Sequence, residues 1–311
     1  MLTGDDLDPV VRAAVQEWVA RVRPAAQIAA CDVRPLAGGY VSGHVDQLTL
    51  DLDDDRDPLE LVRKDASAHE IAGLRAAQAL RPDATAIPEL VAAGPGWLIT
   101  PLAPGSPLAG STPPPANLFS TLAALHTRFV VGDASLPPVI APVIPRVTPA
   151  WWQNLCRQWV APRLRESAAR HPAATADRAQ ALIGRAADLP ATAAVLAELP
   201  PTLLHGDVHP GNVLVHDGQA VLIDWGSARI GPAALDLANL VPADSPGVAR
   251  YAQAWRQRTG APLPAGLIEL GYRWAALQIP VQYLPWTAAY RPAREVEAAL
   301  DQIEQALDQL A

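Results

Sequence analysis

Apolar residues recur at helical spacing near the start of the chain. Leu7, Val11, Val15 and Trp18 fall on one face of a segment running from Asp5 to Val22, which predicts an amphipathic leading helix. The pattern then shortens to period two. Val45 to Leu52 alternates, Leu59-Glu-Leu-Val62 is a short apolar run, and Gly96 to Gly105 begins as a strand. Between these runs Ala68 to Leu80 returns to helical spacing, with Glu70, Leu74 and Ala77 on one face. Residues from about 30 to 100 therefore predict a strand-rich region holding one helix. The acidic run Asp51 to Asp57 fits a solvated hairpin loop.

The second half reads differently. Ser106 to Ala116 is a connector rich in Pro, Ser and Gly, and Ala123 to Phe129 fits a helix. Leu136 to Pro149 is proline-rich, either an insertion loop over a cleft or a surface connector. Helical patterns follow at roughly 150–168, 175–198, 233–241, 246–259, 265–285 and 292–310. Pro190 and Pro280 are expected to kink or split two of them.

One stretch breaks this helical run. Thr202-Leu-Leu204, Val213-Leu-Val215 and Ala220-Val-Leu-Ile223 are short β-like runs, and His205-Gly-Asp-Val-His-Pro-Gly-Asn212 lies between the first two. Pro210 fixes one φ and Gly211 permits a positive one, so a tight loop can aim Asp207 and Asn212 into one pocket. Asp217-Gly218 marks a hairpin turn, which brings Asp224 back beside Asn212. Phosphoryl transfer asks for these side chains: a carboxylate near the attacking hydroxyl, and an amide with a second carboxylate on magnesium. Mg²⁺ takes only one or two oxygens from protein and the rest from phosphate and water. Any one Asp or Asn here, taken alone, is a turn-former or cap. The whole string with its hairpin points to a working site.

The segment Leu204-His-Gly-Asp-Val-His-Pro-Gly-Asn-Val-Leu214, with Leu222-Ile-Asp-Trp225, resembles the catalytic core of the aminoglycoside phosphotransferase and choline kinase family, relatives of the protein kinases. Gly231-Pro232 and Asp236-Leu-Ala238 resemble a downstream segment of the same family, and Leu125-His126 another. The resemblance is sharp over residues 204 to 238. It implies an α+β, bilobal protein-kinase-like fold with a small antiparallel-sheet N-lobe and a large, mainly helical C-lobe. The lobes would span residues 1–102 and 103–311. By resemblance Asp207 is the catalytic base, Asn212 and Asp224 hold Mg²⁺, and His205 braces the loop. Asp236 would support that loop from the following helix.

The upstream residues follow in the order such a fold requires. Lys64 is the only lysine against twenty-three arginines. A kinase-like fold needs a lysine there on the phosphates and a helix glutamate, here Glu70, to orient it. Strand alternation puts Leu59, Leu61 and Arg63 on one face, and Val62 with Lys64 on the other. Arg63 is the phosphate ligand if the leucine face looks at the nucleotide. The match of Leu61-Val-Arg-Lys-Asp65 to the family's lysine strand favours Lys64. Gly38 and Gly39 form a turn that can bring backbone N–H groups close to phosphate, with Ser42 as a side-chain donor. By resemblance, backbone groups of Pro101 to Ala103 meet adenine. The family often has an acidic residue where this chain has Pro101, which leaves ATP or GTP as co-substrate open.

Composition narrows the partners. The 311 residues carry a net charge of −8, which argues against nucleic acid. No apolar run reaches bilayer length and no basic-then-apolar leader opens the chain, so a cytoplasmic protein off the membrane is expected. Cys31 and Cys156 read as reduced thiols. The expected partner is a small molecule bearing a hydroxyl. Residues 150–311 hold fifteen acids against thirteen arginines, no strong excess for a polycation such as an aminoglycoside. Of the aromatics there, Trp255, Trp274 and Trp286 are the candidates for an acceptor side, through stacking or cation–π attraction. Asp301, Glu304 and Asp308 share a helix face, either a solvated stripe or the border of an acceptor site. Two other readings stand beside the small-molecule kinase. One is a catalytically silent nucleotide-binding protein. The other is a kinase acting on protein, which the lack of H-R-D, D-F-G and A-P-E strings opposes. The sequence sets neither a monomer nor a dimer.

Overall fold

The computed structural model of the protein describes residues 7–36, 43–54, 56–80, 85–110, 112–130 and 141–311. The described residues divide into two compact units. The first takes residues up to Thr121, residues 141–144 and Pro210–Ala228. The second takes residues 122–130, Pro145–His209 and Arg229–Ala311.

The first unit opens with α1 (Pro9–Val22). The Asp8 carboxylate accepts the Val10 and Val11 N–H groups and Pro9 begins the helix, so the local sequence fixes where it starts. Strands β1 (Ile28–Pro35), β2 (Val45–Leu52) and β3 (Leu59–Asp65) lead to α2 (Ala68–Leu80), then β4 (Ala92–Gly94) and β5 (Trp97–Pro101). The sheet is antiparallel, in the order β1-β2-β3-β5-β4. Val11, Val15 and Trp18 of α1 pack on Leu48, Leu50, Leu61 and Ile99. The Leu61 face of β3 therefore looks at α1, and Lys64 belongs to the opposite face. There Lys64 pairs in register with Leu98, which packs on Ala66 and Ile71 at the start of α2.

The connector after β5 is not irregular throughout. It contains β6 (Ser106–Pro107), and α3 (Ala116–Val130) starts directly after Pro113-Pro-Pro115, earlier than the apolar spacing predicts. The second unit follows with α4 (Pro149–Asn154), a π-helical turn over Leu155–Val160, α5 (Ala161–Ser167), α6 (Ala173–Ala187), α7 (Thr192–Glu198) and β7 (Pro201–Leu204). The chain returns to the first unit with β8 (Val213–His216) and β9 (Gln219–Leu222), and β6 pairs along β8. The hairpin turn has positive φ at both Asp217 (47°) and Gly218 (72°), the conformation its Asp-Gly sequence favours. Asn117 of α3 clasps the hairpin, accepting the Ala220 N–H and donating to the Ala220 carbonyl, both at 3.0 Å.

The last elements belong to the second unit: β10 (Arg229–Pro232), paired with β7, then α8 (Ala234–Ala238), α9 (Pro246–Thr259), α10 (Ala265–Tyr290) and α11 (Ala293–Leu310). Pro190 separates α6 from α7 as its missing N–H predicts. Pro280 does not split α10, which is continuous through Pro280 and Pro285. Burial explains the difference. Trp274, Leu277, Val281, Leu284 and Ala288 form one side of a core completed by Trp152, Ile183, Leu300 and Ile303, and packing along the whole helix outweighs the local cost. The acidic face of α11 is not a bare solvated stripe. Arg178 of α6 pairs with Glu297, Asp301 and Glu304 at 2.8, 2.7 and 2.7 Å, and Arg185 reaches Asp308 at 3.0 Å. No helix among the described residues is long and apolar enough to cross a membrane.

Candidate active site

The first cluster lies in the first unit. Ser67 caps α2 by accepting the Glu70 N–H at 3.1 Å, which puts Glu70 in the opening turn of the helix. In an S-x-x-E box the glutamate often turns back to the cap. Here its carboxylate goes to Lys64, with Nζ to Oε1 at 2.7 Å. Lys64 Nζ also lies 3.3 Å from Asp224 Oδ1. Lys64 and Glu70 are largely buried, whereas the Asp224 side chain is half-exposed (49 %) and open to a ligand. Burial works against the lysine's charge, but the two carboxylates outweigh it and raise its pKa. Burial raises Glu70 as well, with Lys64 pulling it back and Asp224 adding to the rise.

The hairpin sets Asp224 and Asn212. Val213 pairs with Leu222, and the Ile223 N–H donates to the Asn212 carbonyl at 3.0 Å, so the two residues flank the open end of β8 and β9. Asp224 is in the left-handed region (φ 64°), which Asp tolerates better than most residues. Both offer oxygen donors. Among the described residues no group of three or more His, Cys, Asp or Glu is placed to hold a metal. An amide and one carboxylate suit Mg²⁺, which needs few protein ligands, and would not suit zinc. Helix α2 packs tightly against the turn after Asp224. A Cβ on Gly73 would stand 2.4 Å from the Ala228 Cβ, so only glycine allows this approach.

Pro101 ends β5 opposite Leu61, and the Leu102 N–H donates to the Glu60 carbonyl at 2.9 Å. In a trans peptide the carbonyl points opposite to the N–H, so the Pro101 carbonyl faces away from β3. Gly38, Gly39 and Ser42 lie outside the described residues.

The second cluster lies in the second unit and is built around Asp236 of α8. Its carboxylate is fully buried. It accepts the N–H of His205 at 2.9 Å and of Gly206 at 2.8 Å, and it faces His126 Nε2 at 3.3 Å. Burial alone would raise its pKa. The His126 contact, the nearby His205 and the Gly206 N–H prevail and hold it below the ordinary value. His205 in turn accepts the Asp207 N–H through Nδ1 at 3.3 Å. Arg229 of β10 donates to the Gly206 carbonyl at 2.9 Å. Its guanidinium is buried, which lowers its pKa against the pull of Asp236, Tyr283 and Asp207. The segment carrying Asp207 is thus held at three successive residues. At the Asp207 side chain, Tyr283 of α10 donates its phenol proton to Oδ1, and His209 Nε2 lies 3.8 Å from Oδ2.

Arg229 and Tyr283, with Asn239, whose side-chain nitrogen lies 3.2 Å from the Tyr283 hydroxyl, are the residues that sequence reasoning overlooks. The only signal for Arg229 is a charge set among apolar neighbours in Ala228-Arg-Ile-Gly231. Tyr283 is one aromatic among many in the second half of the chain. The candidate acceptor-side tryptophans fall differently. Trp274 is fully buried, edge-on to Trp152 at 5.1 Å with Nε1 donating to Gln278. Trp255 is buried beside Tyr251 at 6.1 Å. Both serve packing. Trp286 is half-buried, near Tyr290 and under Arg291.

Comparison with known proteins follows the same lines. Residues 43–276 match the model of a phosphotransferase enzyme family. A choline kinase from Cryptosporidium parvum superposes with a TM-score of 0.61 at 12% identity, over 90% of each chain. An ethanolamine kinase from Plasmodium vivax gives 0.55 at 11% identity, over 95% of this chain and 87% of the other. A spectinomycin phosphotransferase, solved with ADP and spectinomycin, gives 0.52 at 12% identity, over 97% and 98%. No curated protein matches in sequence. The likenesses establish the α+β, bilobal protein-kinase-like fold.

Proposed function

Because the chain belongs to the phosphotransferase enzyme family, we propose that it moves the γ-phosphoryl group of ATP onto a hydroxyl of a small molecule. The observation that carries this reading is the Lys64–Glu70–Asp224 cluster, a largely buried cation held between a helix glutamate and a half-exposed carboxylate. Lys64 would grip the phosphates and Glu70 would hold its ammonium in place. Asn212 and Asp224 would hold Mg²⁺, which when bound neutralises charge on the phosphates. Asp207 would accept the proton of the acceptor hydroxyl as the phosphoryl group departs. Gly38, Gly39 and Ser42 would cover the phosphates. The Pro101 carbonyl and the Ala103 N–H would meet the base, and the same two groups would serve a GTP-using enzyme.

The setting is cytoplasmic in this reading. Cys31 and Cys156 are free, and burial pushes their thiols up to about 11 and about 12, so neither is a reactive thiolate at neutral pH.

The test is a nucleotide-consumption screen with Mg-ATP and Mg-GTP over aminoglycosides, macrolides, choline, amino alcohols and sugars. At least one acceptor should be phosphorylated. Asp207→Asn should then abolish turnover and leave Mg-nucleotide binding nearly intact. Full kcat in that variant would remove Asp207 as the base. Nucleotide binding without turnover on any acceptor would favour a silent binding protein.

A further inference from the structure

Three tyrosines of the second unit, Tyr251 buried and Tyr272 and Tyr283 half-buried, spend their hydroxyls in different ways. Tyr272 donates to a backbone carbonyl, that of Val241, at 3.2 Å, as a packed tyrosine ordinarily does. Tyr251 meets the Nδ1 of His126 at 3.0 Å. Tyr283 alone turns its hydroxyl to the carboxylate of Asp207.

A second bond decides which way the proton runs. Asn239, at the C-terminal end of the helix that carries Asp236, lies with its side-chain nitrogen 3.2 Å from the Tyr283 hydroxyl. A carboxylate can only accept, and a phenol has one proton. The amide must therefore donate to the phenol oxygen, and the phenol proton belongs to Asp207. The orientation Asn239 → Tyr283 → Asp207 is the only one in which all three groups are satisfied. The phenol is presented from a fixed wall, because Val281 and Leu284 on either side of it are fully buried in the helical core. Burial and the negative charge of Asp207 both raise the Tyr283 pKa, so the phenol keeps its proton and remains a donor.

We propose that Tyr283 is a positioning residue for Asp207: its hydrogen bond to Oδ1 fixes the rotation of the carboxylate. Helix α8 then governs the catalytic loop twice, through Asp236 at its backbone and through Asn239 and Tyr283 at its reacting side chain. This rests on Asp207 being the base, so the experiment separates the two claims.

The probes are Mg-ATP and Mg-GTP with water as the acceptor, together with any acceptor from the screen. Tyr283→Phe removes one oxygen and keeps the ring. Its kcat should fall about tenfold to a hundredfold, with the nucleotide KM and the melting temperature unchanged. Asn239→Leu should lower kcat less. The double variant should be no worse than Tyr283→Phe alone, because both act through one chain of hydrogen bonds. Additive losses, or losses in KM and melting temperature instead of kcat, indicate a merely structural tyrosine and overturn the proposal. Unchanged kcat in Tyr283→Phe beside a dead Asp207→Asn overturns it too, while the base assignment stands. Full turnover in Asp207→Asn instead removes the base assignment. The contact has its own readout in protein labelled with ¹³C at tyrosine Cζ. The resonance that disappears in Tyr283→Phe should shift in Asp207→Asn at neutral pH, and no shift means the pair does not exist, whatever the turnover.

Discussion

Lys64 and Glu70 form a 2.7 Å ion pair in which the glutamate leaves its own helix cap to reach the lysine. Arg63 lies on the α1 face of β3, with Leu61, so it is turned away from this pair. Lys64→Ala should therefore cost on the order of a hundredfold in kcat/KM, the scale for losing one charge-stabilising group at a phosphoryl site. Glu70→Gln should cost less, since Asp224 still holds the ammonium at 3.3 Å. Arg63→Ala should stay near wild type. Steady-state kinetics on the three variants checks this, and a collapse confined to Arg63→Ala would move the phosphate ligand to the other face.

Gly73 reverses an ordinary rule. Glycine to alanine inside a helix usually gains about 1 kcal/mol. Here the new Cβ would sit 2.4 Å from the Ala228 Cβ and 3.2 Å from the Trp225 carbonyl. Overpacking of this kind costs about 1–3 kcal/mol, so Gly73→Ala should lower the urea midpoint. Adding Ala228→Gly should restore most of the loss. A stabilised single variant would show that α2 and the turn after Asp224 are less tightly packed.

What the sequence made legible was local. The limits of α2, the run of β2 and the Asp217-Gly218 hairpin follow from caps, alternation and turn residues that act within a few positions. What it hid depended on distant partners. Pro280 forecasts a kinked or split helix, and only the core along α10 keeps it continuous. The acidic face of α11 reads as solvated until α6 supplies Arg178 and Arg185. Trp255 and Trp274 offer the same chemistry inside or outside a core, and spacing does not separate the two cases. Tyr283 lies 76 positions from Asp207, beyond the reach of any periodicity argument.

Arg178 joins three carboxylates of α11. Its side chain is about a third exposed, as are its partners or more so, and solvent screens such pairs. Arg178→Met keeps the apolar stem and removes the charge. It should cost about 1 kcal/mol or less at low salt, and the difference from wild type should fade toward ~1 M salt. Denaturation at two ionic strengths measures this. A loss that does not respond to salt would assign the contribution to packing of the stem.

Asp236 gives the protein an acid-sensitive joint. Its folded pKa lies below the unfolded value of 3.8, so the unfolded chain binds protons more readily than the folded one as pH falls. The stabilisation is fully present above that value and is lost as pH drops through the folded pKa. Asp236→Asn removes the charge and presents an amide donor to a site where His205 and Gly206 already donate. Breaking a buried charged network in this way should cost about 3–5 kcal/mol at neutral pH. Because wild type forfeits its advantage in acid, the gap between the two proteins should narrow steadily below the unfolded value. Urea titrations from neutral pH into acid test the sign. A gap that keeps its size throughout would mean that the Asp236 charge contributes nothing and that the variant fails through packing alone.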